Sequence, residues 1–450
     1  MRGHIHLAGV GGVGMSALAQ ALLWGHERVT GSDRLYDREA GLPIWAALEA
    51  AGVELVPQDG AAVDGRTAGV VYSTAIEEDN ADLVAARRWG VPLRHRAEVL
   101  AELTRGRRLL AVAGTAGKTT TTGMLGWALE QLGADPTVVN GGALVDWTAP
   151  DRLGNARRGH PDGLWVIETD ESDRSLLHFR PAWSILTNIS QDHFELAEVE
   201  ALFRRYAAGV GEGLVCGEGV GAVLGEMSAR VVEVGVDPVA VGGGHEVAWR
   251  GERLTVPQPG AHNALNAAMA AELCAQLGYE PAEVARVLAR FGGIQRRLER
   301  VDGGGPVRVF DDYGHNPAKL AAAWSALAVG GGRVLGVWRP HGYGPLRAML
   351  EPLAEALAGA CRPQDRLWLL PVYDAGGTAD RSIFSADLAR LVRERGVAVE
   401  LVETHELVAE QMLAEARAGD TVLVMGARDP HLPAFAREMA VRTQARFARE

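Results

Sequence analysis

The sequence predicts an α/β protein of three consecutive units, each a mostly parallel sheet alternating with helices. Three observations carry this reading. Short apolar strands run into glycine-rich turns and then helical stretches at two places, residues 4–24 and 109–132. Strand-like runs recur between amphipathic stretches through the last third of the chain. A chain of 450 residues is also about three domains long.

In the first unit, His4–Ala8 reads as a strand, Gly9-Val10-Gly11-Gly12-Val13-Gly14 as a tight turn and Met15–Trp24 as a helix. Arg28–Asp33 follows as a second strand ending in an acid. In such a βαβ pattern the glycines admit phosphates close to the backbone, the helix N-terminus offers free amides, and the acid reaches a ribose or base. The same pattern also makes a tight turn with no ligand. Val70–Ile76 is a further strand whose end, at Ser73 and Thr74, is suited to lining a crevice. Alternation runs to Leu103, and Arg105-Gly106-Arg107-Arg108 reads as a linker.

The second unit opens on a phosphate cradle. The strand Leu109–Ala113 enters Gly114-Thr115-Ala116-Gly117-Lys118-Thr119-Thr120 and then a helical run. Lys118 can place a point charge between β- and γ-phosphates, and the Thr119 hydroxyl can hold Mg²⁺. The usual spacing would put a glycine at position 112, where this chain has Val112, so the loop is a shortened form. Leu164–Ile167 is an apolar strand running into Glu168, Asp170, Glu171 and Asp173. Acids at a neighbouring strand end lie where the metal sits, which selects Glu168. Ala182–Asn188 is another strand, followed by Gln191-Asp192-His193; His193 is read as a metal ligand, although a lone histidine is as often structural. Pro259–Asn266 begins a long alanine-rich helix with His262, Asn263 and Asn266 on its first turn, as caps or as readers of an adenine edge.

In the third unit, Val307–Asp312 is a strand before the polar turn Tyr313-Gly314-His315-Asn316-Pro317. Strands recur at 333–337, 366–372, 397–402 and 421–425. Composition bounds the rest. A net charge of −12 with no Lys/Arg-rich run argues against a nucleic-acid partner. No apolar run reaches the ~18 residues of a membrane span, and no signal-peptide pattern is present. Three scattered cysteines fit a reducing compartment, so a cytoplasmic protein without membrane association is expected, as monomer or homodimer. Only two of the 45 basic residues are lysines, Lys118 and Lys319. A chain that uses arginine almost everywhere keeps lysine where a compact ammonium, not a planar fork, is needed.

Taken in order, Gly9–Ala17, Gly31–Asp33, Gly114–Thr122, Glu168–Asp173, Thr187–His193, His262–Asn266, Arg296–Arg297 and Asp311–Pro317 resemble the Mur ligase family across essentially the whole chain, its alanine-adding branch most of all. The resemblance implies a Rossmann-like N-terminal domain (1–106) for the UDP moiety, a central P-loop ATPase-like domain (107–299) for ATP, and a Rossmann-like C-terminal domain (300–450) for the amino acid. It implies an ATP- and Mg²⁺-dependent amide ligase joining an amino acid, L-alanine in that branch, to UDP-N-acetylmuramate through an acyl phosphate. The implied UDP-substrate residues are Gly9, Gly11, Gly12, Gly14, Met15, Ser16, Asp33 and Ser73. ATP would lie on Gly114, Thr115, Ala116, Gly117, Lys118, Thr119 and Thr120, with Asn263 and Asn266 at the adenine, Arg297 at the phosphates and Asp312 at the ribose. Thr119, Glu168 and His193 would hold metal, and Lys118, Glu168, His193, Arg297 and His315 would carry the chemistry. With no lysine between Lys118 and Lys319, a carbamylated lysine bridging two metals cannot form here, as in the alanine-adding branch.

Departures from the family pattern are as informative. Ala116 stands where the family has histidine, Leu298 follows Arg296-Arg297 in place of phenylalanine, and the turn reads His315-Asn316-Pro317, not His-His-Pro. The motif Pro-His-Arg-Tyr-Thr-Arg is Pro340-His341-Gly342-Tyr343-Gly344-Pro345, without either arginine; Arg339 or Arg347 replaces them only with a shifted backbone. Altered substrate choice, as in a tripeptide-recycling ligase or divergent paralogue, and nucleotide binding without turnover therefore stand as alternatives. An oxidoreductase reading rests on Gly9–Asp33 alone and leaves residues 114–119 unexplained.

Overall fold

The computed structural model describes residues 3–25, 27–190, 195–329, 331–374 and 380–448. The chain divides into two compact units: residues 1–241, 246–257 and 262–294 form the first, and 242–245, 258–261 and 295–450 the second.

The two larger sheets of the first unit come first in the chain. One is five-stranded and parallel: β1 (Ile5–Ala8), β2 (Val29–Ser32), β3 (Glu54–Val56), β4 (Gly69–Tyr72) and β5 (Leu93–His95), in the order β3-β2-β1-β4-β5. The other has seven strands, β6 (Leu109–Ala113), β7 (Thr137–Val139), β8 (Ala156–Arg157), β9 (Trp165–Glu168), β10 (Trp183–Leu186), β11 (Gly213–Gly217) and β12 (Arg230–Val234), in the order β12-β11-β10-β6-β9-β7-β8. It is parallel except at the β7–β8 edge. All five residues of β6 are buried, as expected of a central strand covered by helices on both faces. Its register sets Val112 against Glu168 and Ala113 against Leu186, which brings the ends of β9 and β10 beside the turn at Gly114.

One finding was not visible in the sequence: the first two sheets share a core. Leu7, Met15, Leu18 and Leu22 belong to the same buried cluster as Ala111, Val139, Trp165 and Ile167. The helix Val13–Trp24 is apolar nearly all round and packs on both sides. Asn155 donates from Nδ2 to the Val13 carbonyl (2.8 Å) and to Ser16 Oγ (2.9 Å), pinning that helix polar group by polar group.

Strands β13 (Val239–Val241), β14 (Gly244–Trp249) and β15 (Glu252–Val256) follow, then the helix Ala261–Gln276. The second unit has a six-stranded sheet of β16 (Glu299–Arg300), β17 (Arg308–Asp312), β18 (Val334–Trp338), β19 (Arg366–Leu369), β20 (Val399–Leu401) and β21 (Thr421–Met425), in the order β16-β17-β21-β18-β19-β20. All pairs but β16–β17 are parallel. No helix among the described residues is long and apolar enough to cross a membrane.

Candidate active site

The turn after β6 is shaped by two glycines in conformations that L side chains rarely adopt: Gly114 at φ +132° and Gly117 at φ +81°. Neither has room for a methyl group. A Cβ on Gly114 would lie 2.0 Å from Thr187 Oγ1, and one on Gly117 would lie 2.6 Å from Asn266 Oδ1. The turn is held from the β10 side: Thr115 Oγ1 donates to Asn188 Oδ1 (2.5 Å), the Ala116 amide donates to the same oxygen (3.0 Å), and Thr187 Oγ1 donates to the Ala116 carbonyl (2.6 Å). Gly117 caps the helix Lys118–Gln131 without a side-chain acceptor, so the first-turn amides face the cradle. That is a ready anion site.

Around this cradle stand one cation, Lys118, and three carboxylates, Glu168, Asp170 and Glu171. Lys118 Nζ donates to the Gly114 carbonyl (2.8 Å) and to Glu171 Oε2 (2.6 Å). Both partners are largely buried, at 14% and 4% side-chain exposure. Burial raises the Glu171 carboxyl above its usual range against the pull of Lys118, whereas Asp170, equally desolvated, is held below its usual range by Lys118, Ser172 and Arg96. Thr119 Oγ1 donates to Glu168 Oε1 (3.1 Å), and Glu168 Oε2 accepts from the Gly141 amide (2.8 Å). The Thr119 and Glu168 oxygens are hard donors beside a phosphate cradle, the set that suits Mg²⁺ completed by phosphate oxygens and water. Among the described residues no three His, Cys, Asp or Glu side chains gather as a ready-made metal cage. Gln191, Asp192 and His193 lie outside the described residues, so the expected metal ligand His193 does too. Asn263 and Asn266 are buried on the first turn of their helix, with Asn266 Nδ2 donating to Asn263 Oδ1 (3.3 Å) and Asn266 against Gly117. Thr120 is half-buried on the turn after Thr119.

At the first glycine turn, Gly9 is at φ +76° with Ile76 against its α-carbon, and Gly12 caps the helix Val13–Trp24, again without a side-chain acceptor. Asp33 is committed locally: one oxygen accepts from the Gly11 amide (3.0 Å), the other from Leu35 (2.8 Å). Burial raises its pKa. Met15 is buried in the core, Ser16 is bonded to Asn155, and Ser73 is half-buried just past β4. Gly14 is tight against Arg96, whose Nη1 would lie 2.8 Å from a Cβ there; Arg96 Nη2 donates to Asp170 Oδ2 (3.2 Å). Arg96 thus links the first glycine turn to the acids beside Lys118.

In the second unit, Arg296 and Leu298 adopt positive φ (59° and 47°), which turns the chain so that Asp312 accepts from the Leu298 amide (2.9 Å) and the Gly314 amide (2.7 Å). Asp312 is buried, and burial raises its pKa. Arg296 bonds the Gly426 and Ala427 carbonyls and faces buried Asp311 (3.4 Å), whose carboxyl is pushed by burial up to about 7. Arg297 lies over the Tyr313 ring (5.3 Å). His315 Nδ1 is 2.9 Å from the Tyr313 carbonyl, and its ring meets that of His341 edge-on at 5.6 Å. Arg339 is bonded to Asp429 (2.6 Å) and Arg347 to Ser382 (2.8 Å). Both arginines are thus engaged by neighbouring residues of their own unit.

Sequence reasoning did not single out Glu171, Asn188, Gly141 or Arg96. Glu171 was visible only as one of four crowded acids, and which of them meets Lys118 depends on how the chain turns after β9. Gly141 gave no signal beyond a turn.

Residues 4–108 match the model of the Mur ligase family catalytic domain, 112–204 that of the Mur ligase middle domain, and 296–428 that of the Mur ligase glutamate ligase domain. The chain is 34% identical to a UDP-N-acetylmuramate–L-alanine ligase of Rhizobium meliloti (strain 1021), covering 94% of each chain. It is 36% identical to one of Xanthomonas campestris pv. campestris (strain B100), covering 94% of this chain and 93% of the relative. The crystal structure of a UDP-N-acetylmuramate-alanine ligase from Thermotoga maritima superposes with a TM-score of 0.80 at 24% identity, covering 99% of this chain and all of that one. A murein peptide ligase from Psychrobacter arcticus 273-4 superposes at 0.69 and 20% identity over 98% and 99% of the two chains. With a third of its residues shared along nearly its full length, the chain belongs to the Mur ligase family.

Proposed function

We propose that this protein is an ATP-dependent ligase that joins L-alanine to UDP-N-acetylmuramate in peptidoglycan precursor synthesis. The observation that carries the reading is the cradle at Gly114–Thr119, with a lysine ammonium, an uncapped helix N-terminus and the Thr119–Glu168 oxygen pair converging on one turn. The names of relatives a third identical over 94% of the chain support the substrates.

In this reading the substrate carboxylate attacks the γ-phosphorus of ATP, ADP departs, and an acyl phosphate forms. The alanine amine then attacks the acyl carbon; the amide bond forms, inorganic phosphate leaves and the amine gives up a proton. Lys118 exchanges Glu171 for phosphate oxygens, because a fixed carboxylate holds an ammonium in place until a more highly charged anion arrives. Thr119 and Glu168, with His193, would hold Mg²⁺, which when bound neutralises charge on the phosphates. Asn263 and Asn266 face the adenine. Arg297, Asp312 and His315 are assigned to phosphate, ribose and transferring group, with the Asp312 oxygens already engaged by two amides. The UDP moiety is assigned to Gly9, Gly11, Gly12 and Gly14 with Met15, Ser16, Asp33 and Ser73. Domains are placed at 1–106, 107–299 and 300–450, the amino acid binding in the last, and the protein is placed in the cytoplasm.

The test is phosphate release with ATP, Mg²⁺, UDP-N-acetylmuramate and a panel of amino acids, with the tripeptide L-alanyl-γ-D-glutamyl-meso-diaminopimelate alongside. L-alanine should be consumed, and Lys118→Ala should abolish release. Release with the tripeptide alone, or full activity in Lys118→Ala, overturns the assignment.

A further inference from the structure

Three strands of the second unit end abreast. Asp312 of β17 pairs with Met425 of β21, and Met425 pairs with Trp338 of β18. Three residues past each of these stand His315, Arg428 and His341, with Arg428 on the middle strand's loop. The carboxyl ends of parallel strands are where open α/β sheets take their ligands.

The charges at this edge are not equivalent. Burial, reinforced by electrostatic repulsion from His315 and Arg428, pulls His341 down to about 4, so at neutral pH its imidazole is uncharged. Arg296 is spent on Asp311 and two carbonyls, Arg339 on Asp429, and Arg347 on Ser382 and Asp380. Arg428 is exposed and, among the described residues, has neither an ion pair nor a hydrogen bond. A guanidinium close enough to act electrostatically on His341, with no carboxylate of its own among the described residues, is suited to a small carboxylate bound in two-point fashion.

We propose that Arg428 binds the carboxylate of the incoming amino acid, set between His315 and His341 at the ends of β17, β21 and β18, and thereby selects a free α-amino acid as acceptor. The inference rests on the ligase reading above. It also accounts for Gly342 and Pro345: the chain places its acceptor cation on the loop after β21, and among the described residues the loop after β18 carries none free.

The experiment is steady-state phosphate release as a function of L-alanine for the wild type, Arg428→Gln and Arg428→Lys, with L-alaninamide as a second acceptor. Arg428→Gln should raise the KM for L-alanine at least tenfold, leave the KM values for ATP and UDP-N-acetylmuramate within about twofold, and lose most discrimination between L-alanine and L-alaninamide. Arg428→Lys should recover part of the loss, because it restores charge without the planar fork. Arg428 is exposed, so its replacement should leave the thermal midpoint unchanged. If the wild type turns over L-alanine and Arg428→Gln has the same KM for it, or all three KM values rise together, the inference fails while the ligase reading stands. If the wild type releases phosphate with no amino acid, the ligase reading fails and takes this inference with it.

Discussion

Replacing Gly141 by alanine should disable the proposed metal side of the cradle without replacing a charged residue. Gly141 follows Asn140 past β7, and its amide donates to Glu168 Oε2 at 2.8 Å. A Cβ there would lie 2.3 Å from that oxygen and 2.8 Å from Cδ of the same carboxylate. Ordinary contact begins near 3.4 Å, so the carboxylate must retreat by about 1 Å. Gly141 is not at positive φ, so the added methyl acts by contact, not by backbone strain. The retreat forfeits a hydrogen bond to a charged acceptor, ~1.5–3 kcal/mol, and loosens the 3.1 Å contact with Thr119 Oγ1. A misplacement of about 1 Å in a catalytic constellation costs about a hundredfold in rate. Gly141→Ala should therefore lower kcat about a hundredfold and raise the Mg²⁺ concentration needed for half-maximal activity, measured by phosphate release across a magnesium series. Gly359→Ala, with nothing within 4 Å of its Cβ, is the control and should keep full turnover. Wild-type kcat with an unchanged magnesium requirement in Gly141→Ala would refute the placement of Glu168 at the metal.

Three further outcomes follow from the same geometry. Glu171→Gln removes the carboxylate hydrogen-bonded to the buried Lys118 ammonium, leaving only the charge of Asp170 nearby, and should cost about 2–4 kcal/mol of apo stability in urea denaturation, a loss that shrinks when nucleotide is added; an unmoved midpoint would show the pair to be inert. Asp311, with its folded pKa raised to about 7 from 3.8, binds a proton in the native state where the unfolded chain has lost it, so stability should fall as pH rises from about 4 to 7 and level off above. That slope, at most ~1.4 kcal/mol per pH unit, should vanish in Asp311→Asn when the two are compared by denaturation across that range. Lys118→Arg should be nearly as inactive as Lys118→Ala, since a fork cannot enter a pocket shaped by the Gly114 carbonyl and Glu171; substantial phosphate release from the arginine variant would contradict it.

Some of this site was legible from residue order because its chemistry is local. The strand, the two glycines, Lys118 and Thr119 occupy one short stretch, and the backbone of a strand–turn–helix puts them together wherever it occurs. Glu168 was legible because β9 is apolar up to that residue, so the first acid marks the strand's end. Glu171, Gly141 and Asn188 were not, because each reaches the cradle from a different strand and its place depends on the register of β9 and β10 against β6 and of β7 against β9. The expected roles of Asp33 and Asp312 meet a structure in which each carboxylate already holds two backbone amides. Proximity in sequence does not reveal which acids are already spent.

The sequence by itself therefore determined the α/β class, the three Mur ligase segments and the strand–turn–helix that carries Lys118, since periodicity and turn chemistry act within a few residues. Only the tertiary structure decided that the first two sheets are sealed by one core, that Lys118 rests on Glu171, and that Arg339 and Arg347 are spent while Arg428 has no partner among the described residues. Those facts turn on which side chains meet across strands far apart in the chain, and burial makes such meetings decisive: a buried charge takes whatever partner the packing brings within reach.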